Sequence, residues 1–77
     1  MRQFTVQFSR TELEEIEENI TFPLQSNYAG NYEGVDMSEC DPHKIADDNM
    51  SLMTVLRMQS ILYKIKAVKL QFGTKEK

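Results

Sequence analysis

The segment Asp41–Phe72, DPHKIADDNMSLMTVLRMQSILYKIKAVKLQF, decides how the rest of this 77-residue chain must fold. At about 100° per residue, Leu52, Val55, Met58, Ile61, Leu62, Ile65, Val68 and Phe72 fall on one wide apolar arc. Leu56 and Tyr63 extend one border of the arc, and Arg57, Ser60, Lys64 and Gln71 gather on the opposite side. Asp41-Pro42 is a helix start, with an acceptor for free N–H groups and a proline that fits the first helical position. Gly73 is the stop signal just past the last periodic residue. A continuous helix over 42–72 would measure about 45 Å at 1.5 Å per residue, whereas a compact chain of this length is about 30 Å across. Asp47-Asp48-Asn49, whose side chains compete for backbone hydrogen bonds, is the expected break. The expectation is a short piece over 42–47 and a main helix over about 50–70. Val68, Leu70 and Phe72 also alternate as in a strand, but no turn residue precedes them and helix is expected there.

The N-terminal half reads differently. Phe4, Val6 and Phe8 alternate with Gln3, Thr5 and Gln7, the period of a half-buried strand over 2–8. Ser9 and Glu12 have the spacing of a capping box, and Phe8 and Leu13 that of a hydrophobic staple. They open a helix expected over Arg10–Asn19, with a narrow stripe of Leu13, Ile16 and Ile20 among Glu12, Glu14, Glu15, Glu17 and Glu18. Pro23 is the expected terminator. Residues 23–41 lack a period and contain the tandem Asn27-Tyr28-Ala29-Gly30, Asn31-Tyr32-Glu33-Gly34, a turn-rich loop on composition. The expected fold is thus a small α+β single domain over 1–77: strand plus short acidic helix to 22, irregular loop over 23–41, helical region over 42–72 and a frayed tail over 73–77.

Composition narrows the function classes. A chain this small buries a modest core, and oligomerisation often supplies the rest. No apolar run reaches the about 18 residues of a membrane span, no apolar leader opens the chain, and the single cysteine, Cys40, suits a reducing compartment. A cytoplasmic location is the expectation. Residues 1–48 carry eleven acidic and three basic side chains, a net of −8, and residues 49–77 one acidic and six basic, a net of +5. The acidic half is expected to screen the basic helix within the fold or a dimer. The alternative is a basic helix offered to an acidic partner and an acidic helix offered to a basic one.

Catalytic and metal-binding patterns are weak. Cys40-x-x-His43 has ligand spacing, but tetrahedral zinc needs further Cys or His that the chain lacks. Asp36, Glu39 and Asp41 do not follow a calcium loop. There is no glycine-rich phosphate loop and only one histidine. The expectation is no enzyme activity, no metal and no cofactor.

The opening Gln3-Phe4-Thr5-Val6-Gln7-Phe8, running into Arg10-Thr11-Glu12-Leu13-Glu14-Glu15-Ile16, resembles the start of the ribbon-helix-helix DNA-binding family. The resemblance covers less than a quarter of the chain. It implies a dimeric regulator whose paired strands enter the major groove, with Gln3, Thr5 and Gln7 as the base readers. The family joins its helices by a short turn, whereas about twenty residues intervene here, and the first helix is heavily acidic.

The leading expectation is instead a non-enzymatic protein-binding module, homodimeric or bound to another protein. It would occupy its partner as an inhibitor or adaptor of the sort carried by phages and mobile elements. The apolar arc of the main helix exceeds what one strand and one narrow helix can cover. Tyr28, Tyr32, Met53, Arg57 and Lys64 are the candidate contact residues. A third class is a small-ligand sequestering oligomer with a pocket that includes Tyr28, Tyr32 and Arg57.

Overall fold

A computed structural model describes residues 7–75, with side chains for 7–71. Among the described residues the regular elements are helix α1 (Arg10–Asn27), a 3-10 turn (Pro42–Lys44) and helix α2 (Leu52–Lys75). The α+β expectation is therefore corrected to all-α, with no strand among the described residues. Most of the expected strand over 2–8, residues 2–6, lies outside them; Gln7 and Phe8 are exposed and have no regular structure. Alternation alone does not make a strand, because its N–H and C=O groups need a second strand to pair with.

The start of α1 follows from its local chemistry. Ser9 Oγ accepts from the Glu12 N–H at 3.1 Å, and Glu12 Oε1 accepts from the Ser9 N–H at 2.8 Å. This reciprocal cap satisfies two donors that a helix start otherwise leaves unpaired. The end departs from expectation, because α1 continues through Pro23 to Asn27. Proline removes one N–H and crowds the preceding turn. Burial outweighs that cost: Leu24, the next residue, is fully enclosed in the core. Breaking the helix at Pro23 would expose it.

The break before α2 lies where the sequence places it. Asp47 Oδ1 accepts from the N–H groups of Asn49 and Met50 at 2.8 and 2.9 Å, turning the chain on itself. Ser51 then starts α2, its Oγ accepting from the Thr54 N–H at 3.2 Å. The earlier helical piece is shorter than expected, one 3-10 turn capped by Asp41, whose Oδ1 accepts from the His43 N–H at 2.9 Å. Gly73 does not stop α2, which reaches Lys75; a glycine in a helix costs about 1 kcal/mol relative to alanine and does not forbid continuation.

The two helices pack antiparallel, Glu17 meeting Lys69 while Leu24 shares a core with Val55 and Leu62. The remaining wall comes from the connection. Met37 and Ile45 are buried in the same cluster, with Tyr28, Val35, Cys40, Ala46 and Met50 packed around it. Asn27 Nδ2 donates to the Ile45 carbonyl at 2.7 Å and the Ala29 N–H to the Lys44 carbonyl at 2.8 Å. These bonds hold the end of α1 against the 3-10 turn. The repeat is indeed turn-rich: Gly30 and Gly34 take φ of 112° and 74°, values that side chains disfavour.

Restoring the missing donor in α1 tests the account of Pro23. Pro23→Ala is expected to raise the unfolding free energy by about 1–3 kcal/mol, read as a higher urea midpoint at unchanged slope. A lower midpoint would mean that the proline ring contributes more by packing than it costs in the helix.

Candidate functional site

Helix α2 presents two chemically distinct sides. The inner side carries Val55, Gln59, Leu62 and Ile65, all buried. Gln59 is the only polar residue among the described residues that is buried. Its Nε2 donates to the carbonyls of Met37 and Cys40, both at 3.0 Å, and lies 3.6 Å from Cys40 Sγ. Two backbone acceptors that leave water on folding are thereby satisfied. Beside it, Lys66 Nζ donates to Asp36 Oδ2 and, at 2.9 Å, to Glu39 Oε2. Lys69 Nζ donates to Glu17 Oε1 at 2.8 Å. The acidic half thus screens α2 on this side, as the charge split leads one to expect.

The Lys66 contact, joined by the Ser38 hydroxyl and N–H, holds the Asp36 carboxyl at about 2. Lys66 is correspondingly kept charged by Asp36 and Glu39. The Asp41 carboxyl is lowered by the His43 N–H and then by its ring. Burial pushes the Cys40 thiol up, which leaves little thiolate at neutral pH. Cys40 faces the Met37 carbonyl and Gln59, whereas His43 is exposed with its Nδ1 at 3.2 Å from Asp41 Oδ1. The Cys40-x-x-His43 spacing therefore does not bring thiol and imidazole to a common partner. Among the described residues no three His, Cys, Asp or Glu side chains could hold a metal ion.

The outer side of α2 brings together Met53, Arg57 and Lys64, three of the five expected contact residues. All are exposed, as are Ser60 and Gln71 on the same side. Exposed apolar side chains border them, Leu52, Leu56 and Tyr63 along one edge and Ile61 and Val68 along the other. Met53 is 61% exposed and Tyr63 57%. Among the described residues neither Arg57 nor Lys64 has an ion-pair partner. Phe72, placed on the same arc by its spacing, lies outside the described side chains.

Tyr28 and Tyr32 are not part of this face. Tyr28 packs against the core with Lys44 Nζ 6.0 Å from its ring centroid, and Tyr32 is exposed on the connection. The structure therefore does not bring Tyr28 together with Arg57. Of the residues implied as DNA readers, Gln3 and Thr5 lie outside the described residues and Gln7 is exposed. A depression of about 590 Å³ runs along the outer side of α1 among Glu15, Glu18, Phe22 and Gln25, and none of Tyr28, Tyr32 or Arg57 lines it. Gln59 went unread in the sequence because a lone glutamine in a helix has no local signature. Its partners are about twenty residues away along the chain.

Comparison with protein-family models, with curated proteins and with solved structures returned no match for this chain. Among the described residues no helix is long and apolar enough to cross a membrane.

Two measurements test this geometry. Gln59→Leu keeps the volume but removes both donations, and is expected to cost about 2–3 kcal/mol by stranding buried carbonyls. A smaller loss in urea unfolding would mean that water reaches them. Asp36, with its pKa lowered on folding, contributes stability that is complete above about 4 and is lost as the pH falls through about 2. Lys66 stays charged throughout that window. Because the pair is exposed, Asp36→Asn should cost at most about 1 kcal/mol at neutral pH. It should also flatten the acid limb of stability against pH; an unaltered limb would show that other carboxylates govern acid unfolding.

Proposed function

We propose that this chain is a small non-enzymatic protein-binding module that acts by stoichiometric occupation of a partner, as an inhibitor or adaptor. The observation that carries the reading is the outer face of α2. Apolar side chains large enough to anchor an interface stand there at two borders of a row with two uncommitted cations. Aromatic, Met and Arg side chains are the types enriched at protein interfaces, and Tyr63, Met53 and Arg57 supply one of each. The groups with chemical reactivity are occupied structurally: Cys40 is packed under Gln59, and His43 closes the cap at Asp41. A cytoplasmic setting belongs to the same proposal, because the one cysteine serves as a packed thiol.

Capture from a nuclease-treated lysate of the native host tests the reading. The expected outcome is one protein retained in a fixed ratio to the chain. Leu56→Ser with Tyr63→Ser should weaken its retention at least tenfold while leaving the helical circular dichroism unchanged. Retention that is indifferent to these substitutions would remove the α2 face from the proposal. Recovery of nothing but the chain itself would remove the hetero-partner.

A further inference from the structure

We infer that the partner presents an acidic amphipathic helix, laid along the outer face of α2 on the side away from α1. This deepens the reading of the chain as a protein-binding module and rests on it.

The molecule contains its own template for the contact. α1 is an acidic amphipathic helix, and it docks on α2 by burying Leu24 against Val55 and Leu62 and pairing Glu17 with Lys69 at 2.8 Å. The outer face repeats these components without an occupant among the described residues. Leu52, Leu56 and Tyr63 follow helical spacing along one border. Arg57 and Lys64 stand seven residues apart beside them, two turns or about 10.5 Å along the axis. A helix with an apolar stripe and carboxylates two turns apart meets both cations while covering the leucines and the tyrosine. Of the described α2 cations, Lys66 and Lys69 already have carboxylates and Arg57 and Lys64 do not.

Charge also selects among occupants. Two copies joined α2 to α2 would set Arg57 and Lys64 of each against a face of the same sign. The outer side of α1 has carboxylates, Glu15 and Glu18, but a single large apolar side chain, Phe22. Its contact with α2 of a second copy would also be head-to-tail, the kind that does not close into a dimer. Nucleic acid is a poorer fit, since two cations release few counterions and the flanking leucines find no partner on a phosphate row.

The test uses the full-length chain and two synthetic helical peptides of about 18 residues, five turns. Both carry leucine at heptad a and d; one carries glutamate at e and g, its twin lysine. Backbone amide shifts of the labelled chain are followed during titration. The glutamate peptide should bind at least tenfold tighter than the lysine peptide, with shifts confined to residues 52–71. The gap should shrink in about 1 M salt, where the Debye length is about 3 Å. Arg57→Glu with Lys64→Glu should reverse the preference.

Equal binding of the two peptides, or shifts centred on α1 or the connection, would overturn the inference. So would a chain mass that rises with concentration and falls back on the charge reversal, since the occupant would then be a second copy. Duplex DNA binding that is lost on charge reversal but kept in Leu56→Ser with Tyr63→Ser would assign the face to nucleic acid. If the glutamate peptide fails while lysate capture still yields a partner sensitive to Leu56 and Tyr63, the acidic helix is wrong and the binding module stands. If both fail, both readings fall.

Discussion

Two hydrogen bonds from one side chain hold this fold in register. Gln59 sits on the buried side of α2 and donates to the carbonyls of Met37 and Cys40. Two helices alone share only a line of contact, and the core here needs a third wall. Residues 28–51 provide it without regular hydrogen-bonded structure over most of their length. Backbone carbonyls carried into the core by such a segment must find donors there. Gln59 is that donor, and no buried side-chain polar atom among the described residues is left unpaired. The seating of Met37 and Ile45 against Leu24, Val55 and Leu62 depends on it.

Electrostatics reinforces the same arrangement from outside the core. Lys66 gathers Asp36 and Glu39 from the connection, and Lys69 takes Glu17 from α1. The Lys66 pairs are exposed enough to add little stability by themselves, and the Lys69–Glu17 pair is half-buried. They flank the inner side of α2, which the burial of Val55, Leu62 and Ile65 defines. The opposite side then carries Arg57 and Lys64 with no carboxylate of the described chain against them. The charge asymmetry between the halves is thus partly consumed by folding and partly left on one surface. That remainder is the surface on which the proposed binding role rests.

Cys40 and His43, the two side chains of the Cys-x-x-His spacing, are each taken up by local contacts. Cys40 is raised by burial and held under Gln59. His43 is committed to the Asp41 cap. Tyr28, attractive in the sequence as a contact side chain, is packed beneath Lys44 on the core.

Features that depend on neighbours in sequence were legible from the sequence alone. The Ser9–Glu12 cap, the Asp47-Asp48-Asn49 break, the glycine turns at 30 and 34 and the amphipathic period of α2 all arise from bonds between residues at most four apart. So does the grouping of Met53, Arg57 and Lys64, because helical spacing puts them on one side. Tertiary structure decided what local rules leave open. Pro23 and Gly73 are stop signals in isolation, yet α1 and α2 pass through them, in α1 because burying Leu24 outweighs a missing hydrogen bond. The period-two alternation at the N-terminus promised an α+β fold, but no strand forms among the described residues. Residues 23–41 read as an irregular loop, but Met37 makes that segment part of the core. Such outcomes, and the choice of Gln59 over any other polar residue for burial, depend on contacts between residues far apart in the chain. Only the folded arrangement of the two helices and their connection supplies those contacts.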